Sequence, residues 1–115
     1  MSCLNKQHRV KSTKEFNQIY KSNIKWHTNT FVAFFKSSNH TKIGFVASKK
    51  VGNAVARNRA KRLLRSLMLK NELNLPAGEF VFVAKEEILK REYPLLEKDF
   101  KYAMKKMGIF KVAVE

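Results

Sequence analysis

The hydrophobic positions of this chain change period several times, and each change marks an element. Ser12 and Glu15 stand three residues apart ahead of Phe16, Ile19 and Tyr20, a capping-box spacing that predicts a helix from Thr13 to about Lys21 with those three on one face. Residues Asn23 to Asn29 read as a connection. "TFVAFFK", Thr30 to Lys36, is short, aromatic and β-branched and predicts a strand, as does "KIGFVAS", Lys42 to Ser48. The five residues between them, Ser37 to Thr41, have hairpin length, so the two strands are expected to pair antiparallel.

Gly52 and Asn53 then break the pattern, and Asn53 is the expected N-cap of a helix from Ala54 to about Lys70. At about 100° per residue, Ala56, Ala60, Leu63, Leu64 and Leu67 fall within one arc of about 100°, the core-facing side. Outside it, Arg57, Lys61 and Arg65 form one stripe, Asn58 and Arg62 a second, and Arg59 flanks the second. After a loop at Asn74 to Gly78, "EFVFVA", Glu79 to Ala84, reads as a buried strand. A third helix is expected from Pro94 to just before Gly108, with Leu95, Leu96, Phe100, Ala103, Met104 and Met107 on its apolar face. The closing "IFKVAVE" fits a short strand or a tail. A helix between two strands makes a crossover joining parallel neighbours, so the expected fold is α/β (α+β), a mixed sheet packed with helices.

Composition narrows what such a fold would do. The 115 residues suffice for one domain, and 44% hydrophobic content, with nine Phe, is enough for a core. The net charge is +15, from 24 Lys and Arg against nine Asp and Glu, and between Glu15 and Glu72 there are twelve Lys and Arg and no acid. That imbalance favours a polyanionic partner, nucleic acid before a membrane surface. A lone Cys3 and the lack of a long apolar run point to a reducing cytoplasm and no membrane.

The stretch Lys49 to Arg65 puts seven cations into seventeen residues. A solvated helix face would gain from Glu to Lys pairs at i,i+4, whereas like charges repeat here at 57/61 and 61/65. Several also lie near the helix N-terminus, the end at which the macrodipole disfavours cations, so an anionic partner is the better explanation. The aromatics Phe16, Tyr20, Phe31, Phe34 and Phe35 exceed what a small helix and one strand face must bury; either both strand faces are core, or part of the sheet and the first helix form an open cleft on which unpaired bases stack. His8, His27 and His40 have no metal-ligand spacing, and the central region lacks the acids that protein-borne hydrolysis would require.

"SKKVGNAVARNRAKRLLR", Ser48 to Arg65, resembles the signature of the bacterial ribonuclease P protein family, the protein subunit of the ribonucleoprotein that matures the 5′ ends of tRNA. "RVKSTKEFNQIYK", Arg9 to Lys21, is similar to that family's first helix and "FVFVAK" to its later strand. Ala60 departs from the branched aliphatic usual after the Arg-Asn-Arg triplet, and the apolar ending departs from the usual basic tail. The resemblance implies a single RNA-binding domain with an α/β sandwich fold, a sheet of about four strands and a left-handed βαβ crossover. It implies that the catalytic RNA, with Mg²⁺, performs the hydrolysis and that the protein carries no catalytic residue. Arg57, Asn58, Arg59, Lys61, Arg62 and Arg65 would face the RNA subunit. Phe16, Tyr20 and Phe34 would line the cleft for the single-stranded leader of precursor tRNA, with Ser48, Lys49 and Lys50 at its rim. A small ribosomal or tRNA-binding module would need the same phosphate contacts without a catalytic partner, and a free-standing metal nuclease would need acids that the centre of the chain lacks.

Overall fold

The computed structural model describes residues 9–10, 12–22 and 24–110. Helix α1 spans Thr13–Tyr20, and its start is the reciprocal cap expected: the Glu15 backbone N–H donates to Ser12 Oγ at 3.1 Å and the Ser12 N–H to Glu15 Oε1 at 3.2 Å. Strands β1 (Ile24–His27), β2 (Phe31–Ser37) and β3 (Lys42–Ala47) follow, then α2 (Ala54–Asn71), β4 (Gly78–Ala84) and α3 (Tyr93–Lys106). Short 3-10 turns at Glu72–Asn74 and Glu86–Leu89 join the last elements.

The sheet order is β1-β2-β4-β3. Strand β4 runs antiparallel to β2, with Phe35 opposite Phe80, and parallel to β3, with Ile43 opposite Phe80. The crossover β3-α2-β4 thus joins parallel neighbours, and the α+β class with a mixed four-stranded sheet is as expected. The hairpin is not. Strands β2 and β3 do not pair, because β4 lies between them. The reason is burial: β4 is apolar on both faces, with Phe80 and Phe82 on one and Val81 on the other, all essentially inaccessible, and such a strand belongs at the centre of a sheet. A five-residue turn spans a gap of two strand spacings, about 9.6 Å, as readily as it closes a hairpin.

The second correction is β1, expected as a connection. It pairs with β2 as an edge strand, Ile24 opposite Phe35 and Trp26 opposite Ala33. The alternation I-K-W-H turns Ile24 and Trp26 toward α3 while Lys25 and His27 point to the opposite face, and charged side chains of this kind blunt an exposed edge.

The larger core lies between the sheet and α2 and α3. It joins Phe31, Phe35, Phe80 and Phe82 to Ala60, Leu64, Leu67 and Met68 of α2 and to Leu96, Phe100, Ala103 and Met104 of α3. Ring contacts knit it, Phe82 to Phe100 at 5.5 Å and Phe35 to Phe80 at 4.9 Å between centroids. One expected core position differs, Leu95 being 47% exposed, and Met68, outside the expected arc, is buried. Ile109 and Phe110 pack against the rim of this core, and the rest of the apolar ending, 111–115, lies outside the described residues, as does Cys3.

Across the sheet, α1 covers part of the other face around Val10, Ile19 and Val81. It can approach closely because β3 carries Gly44 beneath it: a Cβ there would stand 2.7 Å from the Phe16 ring and 3.2 Å from Val10 Cβ.

Candidate nucleic-acid interface

Helix α2 begins where the sequence requires. Gly52 takes φ 147°, a conformation L side chains rarely adopt, and Asn53 Oδ1 then accepts the Ala56 N–H at 2.9 Å. The first turn holds no acid. With Ala60, Leu64 and Leu67 buried against the sheet, Asn58, Arg59, Arg62 and Arg65 are exposed and Arg57 and Lys61 half-buried. Among the described residues, no carboxylate comes within ion-pair distance of Arg57, Arg59, Lys61, Arg62 or Arg65. Arg65 instead lays its guanidinium 5.8 Å from the centre of the Phe45 ring on β3, which orients the fork along the sheet edge. Val55, 73% exposed, stands bare in the same helix.

The aromatic group assembles on the other side of the sheet. Phe16 and Tyr20 lie one helical turn apart with ring centroids 6.2 Å apart, and Tyr20 meets Phe34 of β2 edge-on at 4.9 Å. All three are half-buried, each with surface left to offer. Burial raises the Tyr20 phenol above its ordinary pKa, so it remains a neutral hydrogen-bond donor through the physiological range. Half-buried Val46 and Val83 extend the apolar floor beyond the end of α1.

Val83 also lines a groove at the carboxyl ends of β3 and β4, together with Asn29, Ser48, Lys50, Val51, Ala84 and Lys85, and the carboxylates Glu86 and Glu87 stand in the same lining. Ser48 and Lys50 therefore share a groove with Val83, which also belongs to the aromatic floor. Lys49 is exposed but lies outside this lining. The chain passes from Ser48 through Gly52 straight into α2, so the groove and the cationic helix meet around the β3 edge of the sheet.

Three polar residues near these surfaces escaped the sequence reading. Lys25 and His27 of β1 stand opposite Phe34 and Val32 and share their face, and Lys85 anchors the groove by donating from Nζ to the Thr28 carbonyl at 2.6 Å. The period-2 alternation of Ile24 to His27 was the available signal for the first two. Among the described residues, no three His, Cys, Asp or Glu side chains converge into a metal cage. No described helix is long and apolar enough to cross a membrane.

A small α+β domain with a mixed sheet, an uncompensated cationic helix on one face and a half-open aromatic cleft on the other defines a class of compact basic proteins built around two distinct surfaces. The ribonuclease P family model matches residues 4–108. The ribonuclease P protein component of Nitratiruptor sp. is 43% identical over 90 residues, covering 78% of this chain and 83% of that protein. That of Streptococcus agalactiae serotype Ia is 33% identical over 108 residues, 92% of this chain and 99% of that one. The solved Staphylococcus aureus RNase P protein superposes with a TM-score of 0.79 at 24% identity, covering 90% of this chain and 97% of that one, a likeness of fold. The chain belongs to the bacterial ribonuclease P protein family.

Proposed function

We propose that this chain binds the catalytic RNA of ribonuclease P through α2 and the single-stranded 5′ leader of precursor tRNA through the aromatic cleft, supporting removal of the leader in the cytoplasm. The observation that carries this reading is the pairing of the two surfaces around one sheet edge. The α2 cations from Arg57 to Arg65, which have no carboxylate partner among the described residues, suit phosphates of a folded RNA, and the Phe16, Tyr20 and Phe34 surface suits unpaired bases.

Arg57, Asn58, Arg59, Lys61, Arg62 and Arg65 would hold RNA backbone beside the reacting phosphodiester, and their charge would favour the close approach of the two RNAs. Ser48, Lys49 and Lys50 would meet leader phosphates at the rim, Lys49 from just outside the groove. Among the described residues no three His, Cys, Asp or Glu side chains converge, and the reading assigns Mg²⁺ to the RNA. When bound there, Mg²⁺ supplies an activated water and neutralises charge on the phosphate. The protein acts by binding and orienting.

Reconstitution tests this. Added to a bacterial ribonuclease P RNA at low Mg²⁺, the protein is expected to stimulate release of the leader from precursor tRNA, and protein alone is expected to cut nothing. Absence of stimulation overturns the reading and leaves a tRNA-binding module; cutting by the protein alone overturns it in favour of a nuclease.

A further inference from the structure

Helix α3 carries a second cationic face that neither the cleft nor α2 explains. Its two acids are both committed elsewhere. Asp99 Oδ2 accepts the hydroxyl of buried Thr30 at 2.8 Å, and Glu97 pairs with Lys70 of α2 at 3.4 Å. Opposite the buried Leu96, Phe100, Ala103 and Met104, the exposed Lys98, Lys101 and Lys105 recur at helical spacing on one outward stripe. Beside them stands Tyr102, 51% exposed, its ring edge-on to Trp26 of β1 at 6.2 Å and beneath Lys106 Nζ at 5.4 Å. The helix C-terminus accounts for Lys105 and Lys106, which the macrodipole favours in a last turn. It does not account for Lys98 and Lys101, which lie further back and repel their neighbours.

We infer that the Lys98, Lys101 and Lys105 face of α3 is a third RNA-binding surface, one that grips the phosphate backbone of an RNA segment other than those held by α2 and the cleft. The surface is convex and presents lysine point charges rather than Arg forks, a chemistry that meets phosphates without reading sequence. Lys98 to Lys105 spans about 10 Å along the helix, enough to follow a short run of backbone. Because α1 lies on the opposite face of the sheet, an RNA held here need not compete with one in the cleft.

The full chain with Lys98→Ala, Lys101→Ala and Lys105→Ala is compared with wild type for binding to bacterial ribonuclease P RNA across a salt series. The slope of log K against log salt is expected to fall by about 2, since each lost contact removes about 0.7–0.9, and affinity near 0.1 M salt by about tenfold or more. Arginine at the same three positions is expected to restore both. The preference for precursor over mature tRNA is expected to stay unchanged. A control lacking Lys14, Lys21 and Lys90 removes the same charge from elsewhere; an equal loss in the control means that net charge alone acts, and overturns the inference. Wild-type slope in the α3 variant overturns it while leaving the proposed function standing. Loss of binding to phosphatidylserine vesicles with RNA binding intact assigns the face to a membrane and likewise overturns it. Failure of the wild type to bind the RNA at all overturns both.

Discussion

Tyr20 on α1 meets Phe34 on β2 edge-on, 4.9 Å between ring centres, and this contact joins a helix to a strand across an otherwise half-open face. Both rings are half-buried, so each has one side in protein and one available. If a base stacks there, Phe34→Ala weakens precursor tRNA binding by about 1–3 kcal/mol and leaves mature tRNA binding nearly untouched. Equilibrium binding of the two RNAs to the reconstituted holoenzyme measures the difference. Equal losses would make Phe34 a packing residue only.

Gly44→Ala tests how α1 is seated. The new Cβ meets the Phe16 ring at 2.7 Å, closer than carbon atoms tolerate, with Val10 at 3.2 Å on the other side. Phe16 must move, and overpacking of this kind costs about 1–3 kcal/mol. Urea unfolding is expected to show the lower stability, and precursor discrimination is expected to fall with it because Phe16 and Tyr20 shift together. Unchanged stability together with unchanged discrimination would show that the seat is loose.

Much of this architecture was legible in local signals that tertiary contacts then confirmed. Ser12 with Glu15, and Asn53 behind Gly52, announced two helix starts because a cap is a bond within four residues. Ala60, Leu64 and Leu67 announced the buried side of α2 because one face of a helix repeats in sequence. The pairing of β4 between β2 and β3 was not legible, since nothing near Ser37 to Thr41 encodes which strand arrives later to fill the gap. Strand β1 was obscured by polar Lys25 and His27, the residues that protect it as an edge. At the candidate site, the Arg57 to Arg65 face followed from the helical wheel, whereas the meeting of Val83, Ser48 and Lys50 in one groove depends on β3 and β4 being parallel neighbours.

Arg59→Ala and Arg62→Ala separate binding from folding. Both side chains are exposed and outside the apolar side of α2, so each variant is expected to keep the wild-type urea midpoint within about 0.5 kcal/mol. Each is also expected to weaken assembly with the catalytic RNA and to lower the salt slope by about 0.7–0.9 if it meets one phosphate. Titration of the RNA at several salt concentrations reads both quantities. An unfolded Arg62→Ala variant would instead show that this face is packed.

The Glu15 to Lys42 ion pair, which ties the first turn of α1 to the start of β3, sets a pH dependence. Its hydrogen bond to Glu15, aided by that carboxylate's charge, raises the Lys42 ammonium above the ordinary lysine pKa. A group whose pKa is raised by folding contributes stability that is fully present below its unfolded pKa and is lost as pH rises through the folded one. Tyr20, raised by burial, acts in the same direction. Stability is therefore expected to hold from neutral pH to about 9 and to decline above about 10, where unfolded Tyr and Lys titrate. Glu15→Gln retains a residue able to complete the Ser12 cap while removing the carboxylate charge, so its effect reports that charge and not the cap. It is expected to lower the urea midpoint at pH 7 and to shrink the alkaline decline without abolishing it, Tyr20 supplying the remainder. An alkaline decline as steep in Glu15→Gln as in the wild type would remove Lys42 as its source.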